Sequence, residues 1–167
     1  MFALVSASCG TSHPETGPPT PAANATRAPL LPTTVNALPP MDVAGFHSLL
    51  HQLRGTPVLV NIWASWCGPC VAEASLLSAA ARSHPEVQFL GVDVADSRGG
   101  ALRFLSTHGV PYPSVFDPTA AIKNDLGAFG QPDTYVYDAS GALVASIPRA
   151  LSAAELRDAI AKATAPA

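Results

Sequence analysis

The stretch Pro57–Ala64, PVLVNIWA, restricts the possible folds more than any other part of the chain. A near-continuous run of apolar, β-branched residues has no polar face to offer to water, so as a strand it belongs in the middle of a sheet covered on both sides. The residues behind it are equally restrictive. Ser65-Trp66-Cys67 forms a short loop, and GPCVAEASLLSAAARSH from Gly68 reads as a helix, with Pro69 in the first turn and good helix formers after it. The chain therefore passes from a buried strand into a helix with a cysteine pair, Cys67 and Cys70, at the junction.

The rest of the pattern fits that frame. Phe46, Leu49, Leu50 and Leu53 fall at i, i+3, i+4 and i+7 behind a cap at Asp42, which predicts an amphipathic helix ending at Gly55. VQFLGVDV, residues 87–94, is a second buried strand, and residues 98–108 form a helix. This β-α-β-α order requires parallel strands joined by right-handed crossovers. Farther on, PSVFD is a short strand and TAAIKNDLG a helix closed by Gly127. DTYVYD and ALVASI, joined through ASG, are an antiparallel hairpin. SAAELRDAIAKA is a last amphipathic helix, with Ser152 and Glu155 placed as a capping box. The expected class is α/β: a mixed central sheet with helices on both faces.

Composition limits what surrounds this unit. The chain has 167 residues, and single domains commonly run about 100–150, so there is one domain and some excess. The excess lies at the start. Residues 10–40 hold eight of the 17 prolines and only two formally charged side chains, Glu15 and Arg27. Such a segment buries too little apolar surface to order itself and reads as a semi-rigid, extended spacer. Residues 1–9, MFALVSASC, look like the tail of a secretory signal that lacks a basic start. SASC resembles a bacterial lipobox, with Ser6 in place of the usual leucine, so Cys9 is a lipidation candidate and a membrane anchor an expectation. The alternative is an unmodified terminus. The expected domain spans residues 41–167. A net charge of −3 with 13 % charged residues gives no field for gripping phosphates, and nucleic acid is not expected as a partner.

The three cysteines are an odd number, so Cys67 and Cys70 can pair while Cys9 has another fate. At a helix N-terminus, unpaired N–H groups and the helix dipole stabilise a thiolate and lower a cysteine pKa from ~8.5 to roughly 3.5–7.5. Cys67 is then the attacking nucleophile. Cys70, one turn farther in, resolves the mixed disulfide. A merely structural disulfide is the bland reading, but so small a loop gains little entropically. A zinc site of His47, His51, Cys67 and Cys70 is a second alternative, although known spacings put the cysteine pair first. No metal or other cofactor is expected.

VLVNIWASWCGPCVAE resembles the active-site segment of the thioredoxin superfamily, and more narrowly its extracytoplasmic TlpA-like branch, with its ResA-like and CcmG/DsbE-like members. The likeness extends over about residues 40–163. It implies a thioredoxin fold with Cys67 and Cys70 as the redox pair around Gly68 and Pro69, and Trp66 as an apolar platform over the site. GQPDTYVYDASG is similar to the family's cis-proline segment, so Pro132 would face the cysteines and Gln131 would lie beside the sulfurs to meet substrate backbone. YPSVFD, residues 112–117, resembles the branch's extra strand-and-helix insertion. There are departures. Asn61 stands where thioredoxin has a buried aspartate that moves the resolving cysteine's proton, and asparagine is not a base. Glu73, matching the family's common Ala-Glu, is the candidate proton relay; the alternative is a solvated helix-face glutamate. Ser75 replaces a frequent helix-kinking proline, which implies a straighter helix.

The function this implies is thiol-disulfide exchange with protein thiols and disulfides outside the cytoplasm. Gly-Pro between the cysteines leans toward a reductant recharged by a membrane electron-transfer partner, for example in cytochrome c maturation. The alternative within the fold is an oxidative disulfide donor. From other classes come a peroxide-reducing enzyme, for which WCGPC lacks the Thr/Ser-containing approach to a lone cysteine, and a noncatalytic binding module.

Overall fold

The computed structural model describes Met1 and residues 29–166. The lipidation candidate Cys9 and most of the expected leader and spacer lie outside the described residues. Strand β1 (Val58–Trp63) is the apolar run of the sequence, and all six of its residues are buried. β2 (Gln88–Val94) pairs with it in parallel and β4 (Asp133–Tyr137) antiparallel on its other side. β3 (Ser114–Asp117) adds a parallel edge to β2, and β5 (Leu143–Ile147) an antiparallel edge to β4. The result is one five-stranded mixed sheet in the order β3-β2-β1-β4-β5.

Helices cover both faces because both faces of β1 are apolar. Leu59, Trp63 and Phe89 point to the side packed by α2 (Gly68–Ser83), α3 (Arg98–Thr107) and α5 (Ala153–Thr164). Val58, Val60 and Ile62 point to the other, covered by α1 (Val43–Gln52) and the short α4 (Ala121–Asp125). The caps follow local chemistry. Asp42 accepts from the Gly45 N–H at 2.7 Å, and Ser152 and Glu155 close a reciprocal capping box. α4 takes its cap from β3, where the Asp117 carboxylate accepts the N–H groups of Ala121 and Ile122 at 2.9 and 2.8 Å. α2 is one uninterrupted 16-residue helix through Ser75.

The ordered unit begins earlier than residue 41. Leu38, inside the proline-rich stretch, is fully buried against the α2/α3 side. Its carbonyl and that of Ala37 accept from the Arg98 guanidinium. Phe116 of β3 donates its N–H to the Pro39 carbonyl at 2.8 Å, and Met41 returns an N–H to Phe116 at 3.0 Å. A spacer cannot order itself, but its last residues can be ordered by a sheet edge that needs partners. In the same segment Leu30 donates its N–H to Gln52 Oε1 at the end of α1.

Truncating Leu38 tests this docking. Leu38→Ala is expected to lower unfolding free energy by ~2–5 kcal/mol, the usual loss for a fully buried leucine, measured by urea denaturation; a change below ~0.5 kcal/mol would place the segment outside the cooperative unit.

Candidate active site

β1 delivers the chain to the C-terminal edge of the sheet, and α2 starts four residues beyond Ala64. Cys67 is the N-cap of α2 and its Sγ accepts the Cys70 N–H at 3.2 Å. The two cysteines are joined by a disulfide, with S–S 2.04 Å and Cα–Cα 5.2 Å. Both are nearly buried, whereas Gly68, Pro69 and Trp66 around them are exposed, Trp66 at 60 %. Trp66 is held from one side, donating Nε1–H to the Ala95 carbonyl at 3.1 Å. Trp63 belongs instead to the core, stacked on Phe104 at 4.4 Å between ring centroids.

The β4 side closes the site. The Gln131–Pro132 bond is cis, and the Gln131 carbonyl oxygen lies 3.6 Å from Cys67 Sγ. Two residues before it, Phe129 is fully exposed. Trp66 and the partly exposed Val71, each one residue from a cysteine, and Phe129, two residues before Gln131, are exposed apolar side chains of the segments that form the site. Sequence reasoning missed Phe129, since a single aromatic in a glycine-containing loop carries no periodicity.

Beneath the disulfide lies a buried polar cluster. Glu73 is 3 % exposed. Its Oε1 accepts from Asn61 Nδ2 at 2.9 Å and its Oε2 from the Leu151 N–H at 2.8 Å. Asn61 Nδ2 also reaches Thr134 Oγ1, at 3.2 Å. Burial raises the Glu73 pKa above the ordinary glutamate value, partly opposed by the Leu151 and Asn61 hydrogen bonds. The solvated helix-face alternative is therefore excluded. Asn61, Cys70, Trp63 and Tyr112 line one cavity of about 10 Å³, at the lower limit of ~10–15 Å³ that one water needs. Burial, and secondarily the Glu73 charge, push the Tyr112 phenol well above its usual pKa, so it stays a donor.

The alternative zinc grouping of His47 and His51 with the cysteines is not assembled. His47 sits on α1 and pairs with Asp125 at 2.7 Å, on the far side of the sheet from the cysteines. Among the described residues no cluster of three or more His, Cys, Asp or Glu is arranged to hold a metal ion, and no helix is long and apolar enough to cross a membrane.

The AhpC/TSA family profile matches residues 35–146. The thiol:disulfide interchange protein DsbE of Vibrio cholerae is 37 % identical over 91 residues, covering 54 % of this chain and 48 % of that protein. The DsbE homolog of Paracoccus denitrificans is 41 % identical over 87 residues, covering 52 % and 47 %. The chain thus spans about half the length of these relatives. Among solved structures, a secreted Mycobacterium tuberculosis disulfide oxidoreductase homologous to DsbE superposes with TM-score 0.62 at 28 % identity, over 66 % of this chain and 84 % of that one. DsbF of the same organism gives 0.63 at 28 %, over 68 % and 85 %. The fold is the thioredoxin fold.

The raised Glu73 pKa makes a stability prediction with a definite sign. A folded state that binds the proton more tightly than the unfolded chain loses stability as pH rises from the unfolded carboxylate value through the folded one. Glu73→Gln should make that decline shallower, by up to ~1.4 kcal/mol per pH unit, in urea denaturation series between pH 4 and 8. Parallel wild-type and variant curves would mean that Glu73 titrates alike in both states.

Proposed function

We propose that this chain, which belongs to the AhpC/TSA family, is a thiol-disulfide oxidoreductase that exchanges the Cys67–Cys70 disulfide with protein thiols and disulfides outside the cytoplasm. The observation that carries the reading is Cys67 at the N-cap of α2, with the Cys70 N–H directed at its sulfur. In the reduced protein that N–H and the helix dipole favour the Cys67 thiolate. The thiolate attacks one sulfur of a substrate disulfide, forming a mixed disulfide and expelling the other substrate sulfur as a thiolate that takes a proton. Cys70, deprotonated, then attacks Cys67 Sγ. The intramolecular disulfide forms, the second substrate sulfur leaves, and two electrons have passed to the substrate. Run backwards, the same steps donate a disulfide.

Each remaining residue has a part in this scheme. The Gln131 carbonyl beside Cys67, preceding Pro132, offers an acceptor to an incoming extended backbone. Trp66 and Phe129 supply apolar contact around the sulfurs. Glu73, held by Asn61 at the wall of the small cavity that Cys70 also lines, receives the Cys70 proton through one water, and its raised pKa suits the task. The Gly68-Pro69 dipeptide favours the reductant direction, as in cytochrome c maturation, with a membrane electron-transfer partner restoring the dithiol. The secreted mycobacterial relative supports placement outside the cytoplasm; a lipid anchor at Cys9 is consistent with that placement.

Cys67→Ser should abolish exchange, and Cys70→Ser should accumulate a mixed disulfide visible on non-reducing gels. Full activity in Cys67→Ser would leave a noncatalytic module. Glu73→Gln should slow resolution by on the order of 10²-fold with the Cys67 alkylation rate unchanged. Direction follows from the reduction potential of the pair: near or below about −250 mV identifies a reductant, and about −120 to −180 mV a disulfide donor or isomerase.

A further inference from the structure

Strand β2 carries a group that the exchange scheme does not use. Asp93 is fully buried in the central sheet, opposite Trp63 on β1 and Phe116 on β3, and no donor reaches either of its carboxylate oxygens. Such a carboxylate is among the least tolerable groups a core can hold, unless it is neutral. Its polar neighbour is itself an acid: Asp96 lies three residues on, past the end of β2, and meets Ser65 two residues after Trp63, the register partner of Asp93. Asp96 is already committed as an acceptor. It receives the Ser65 N–H at 2.5 Å and the Ser97 N–H at 2.6 Å. What this pair lacks is one donor, and a proton on Asp93 supplies it.

The contacts of Asp96 give the pair a position in the site. Ser65 opens the loop Ser65-Trp66-Cys67, and the adjacent Ala95 carbonyl accepts from Trp66. The loop at residues 95–97 is therefore a bracket on which the redox loop rests at two points, Ser65 N–H and Trp66 Nε1–H. We propose that Asp93 and Asp96 share one proton, with Asp93 as donor and Asp96 as the anion, and that this acid pair positions the redox loop and releases it when the proton leaves. The inference rests on the exchange reading only for its functional consequence. Asp93 and Asp96 touch no substrate and are positioning residues.

Every charge acting on Asp93 favours the protonated form. Burial is the largest effect, followed by Asp96 on the β2–α3 loop and Asp117 on β3, and together they push Asp93 up to about 8. β1 presents only Trp63 there. The α3 residue Arg98 is turned to the carbonyls of Ala37 and Leu38, and Asp117 is occupied with the α4 amides. Below that pH the pair holds Ser65. Above it, two carboxylates face each other, Asp96 turns toward the solvent that already reaches it, and the redox loop loses its hold at Ser65.

The disulfide form isolates this event, because its cysteines do not titrate. Tryptophan fluorescence of the oxidised protein, followed from pH 6 to 10, should show a reversible transition with midpoint about 8. Asp93→Asn, whose amide can still donate to Asp96, should lose the transition. Asp96→Asn should move the midpoint lower, since it removes a like charge. A flat wild-type titration, or a transition that survives in Asp93→Asn, overturns the proposal. Infrared difference spectra of wild type against Asp93→Asn give a second reading: a protonated carboxylic acid band at pH 7 that is missing from the variant and disappears through the same pH range is expected, and the absence of any such difference at pH 7 also overturns the proposal. Neither measurement involves turnover, so both stand apart from the loss of exchange in Cys67→Ser that tests the function.

Discussion

Burial of β1 on both faces is the constraint from which the remaining structure follows. A six-residue strand with no solvent-facing side must have neighbours on either edge and helices above and below. β2 and β4 fill the edges, and the helices divide between the faces. Because every residue of β1 is fixed by pairing and packing, its C-terminal end is a rigid point of departure. The helix begun there inherits that rigidity, and with it the position of the cysteines at its first turn.

Glu73 ties this frame together from inside. Its two oxygens draw on a donor 12 residues away in β1 and another 78 residues away before α5, so one carboxylate holds α2 to the sheet and to the C-terminal segment. Asn61 completes the tie by reaching Thr134 on β4. Asn61 on β1 and Glu73 on α2 are thus complementary: the helix carries the acid and the strand the donor.

Much of this was legible in the residues. The β-branched run identified β1, apolar spacing identified α1, and Asp42, Ser152 and Glu155 marked helix starts, because each of these signals is local. The cysteine pair was legible for the same reason. Other features depend on contacts that sequence spacing does not encode. A glutamate on a helix can face water or core alike, and only its distant donors decide that Glu73 faces the core. Leu38 reads as part of a proline-rich linker until the edge of β3 supplies backbone partners on either side of it. Asp93 gave no signal in the sequence, since one acid in an apolar strand has no spacing to mark it, and its neighbour Asp96 is placed beside it only by the turn between β2 and α3.

The hydrogen bond between Leu30 and Gln52 has a mechanical meaning. The same short segment is held at α3 through the Ala37 and Leu38 carbonyls, and at β3 through Pro39 and Met41. A load applied along it is therefore shared among α1, α3 and β3, none of which carries the cysteines.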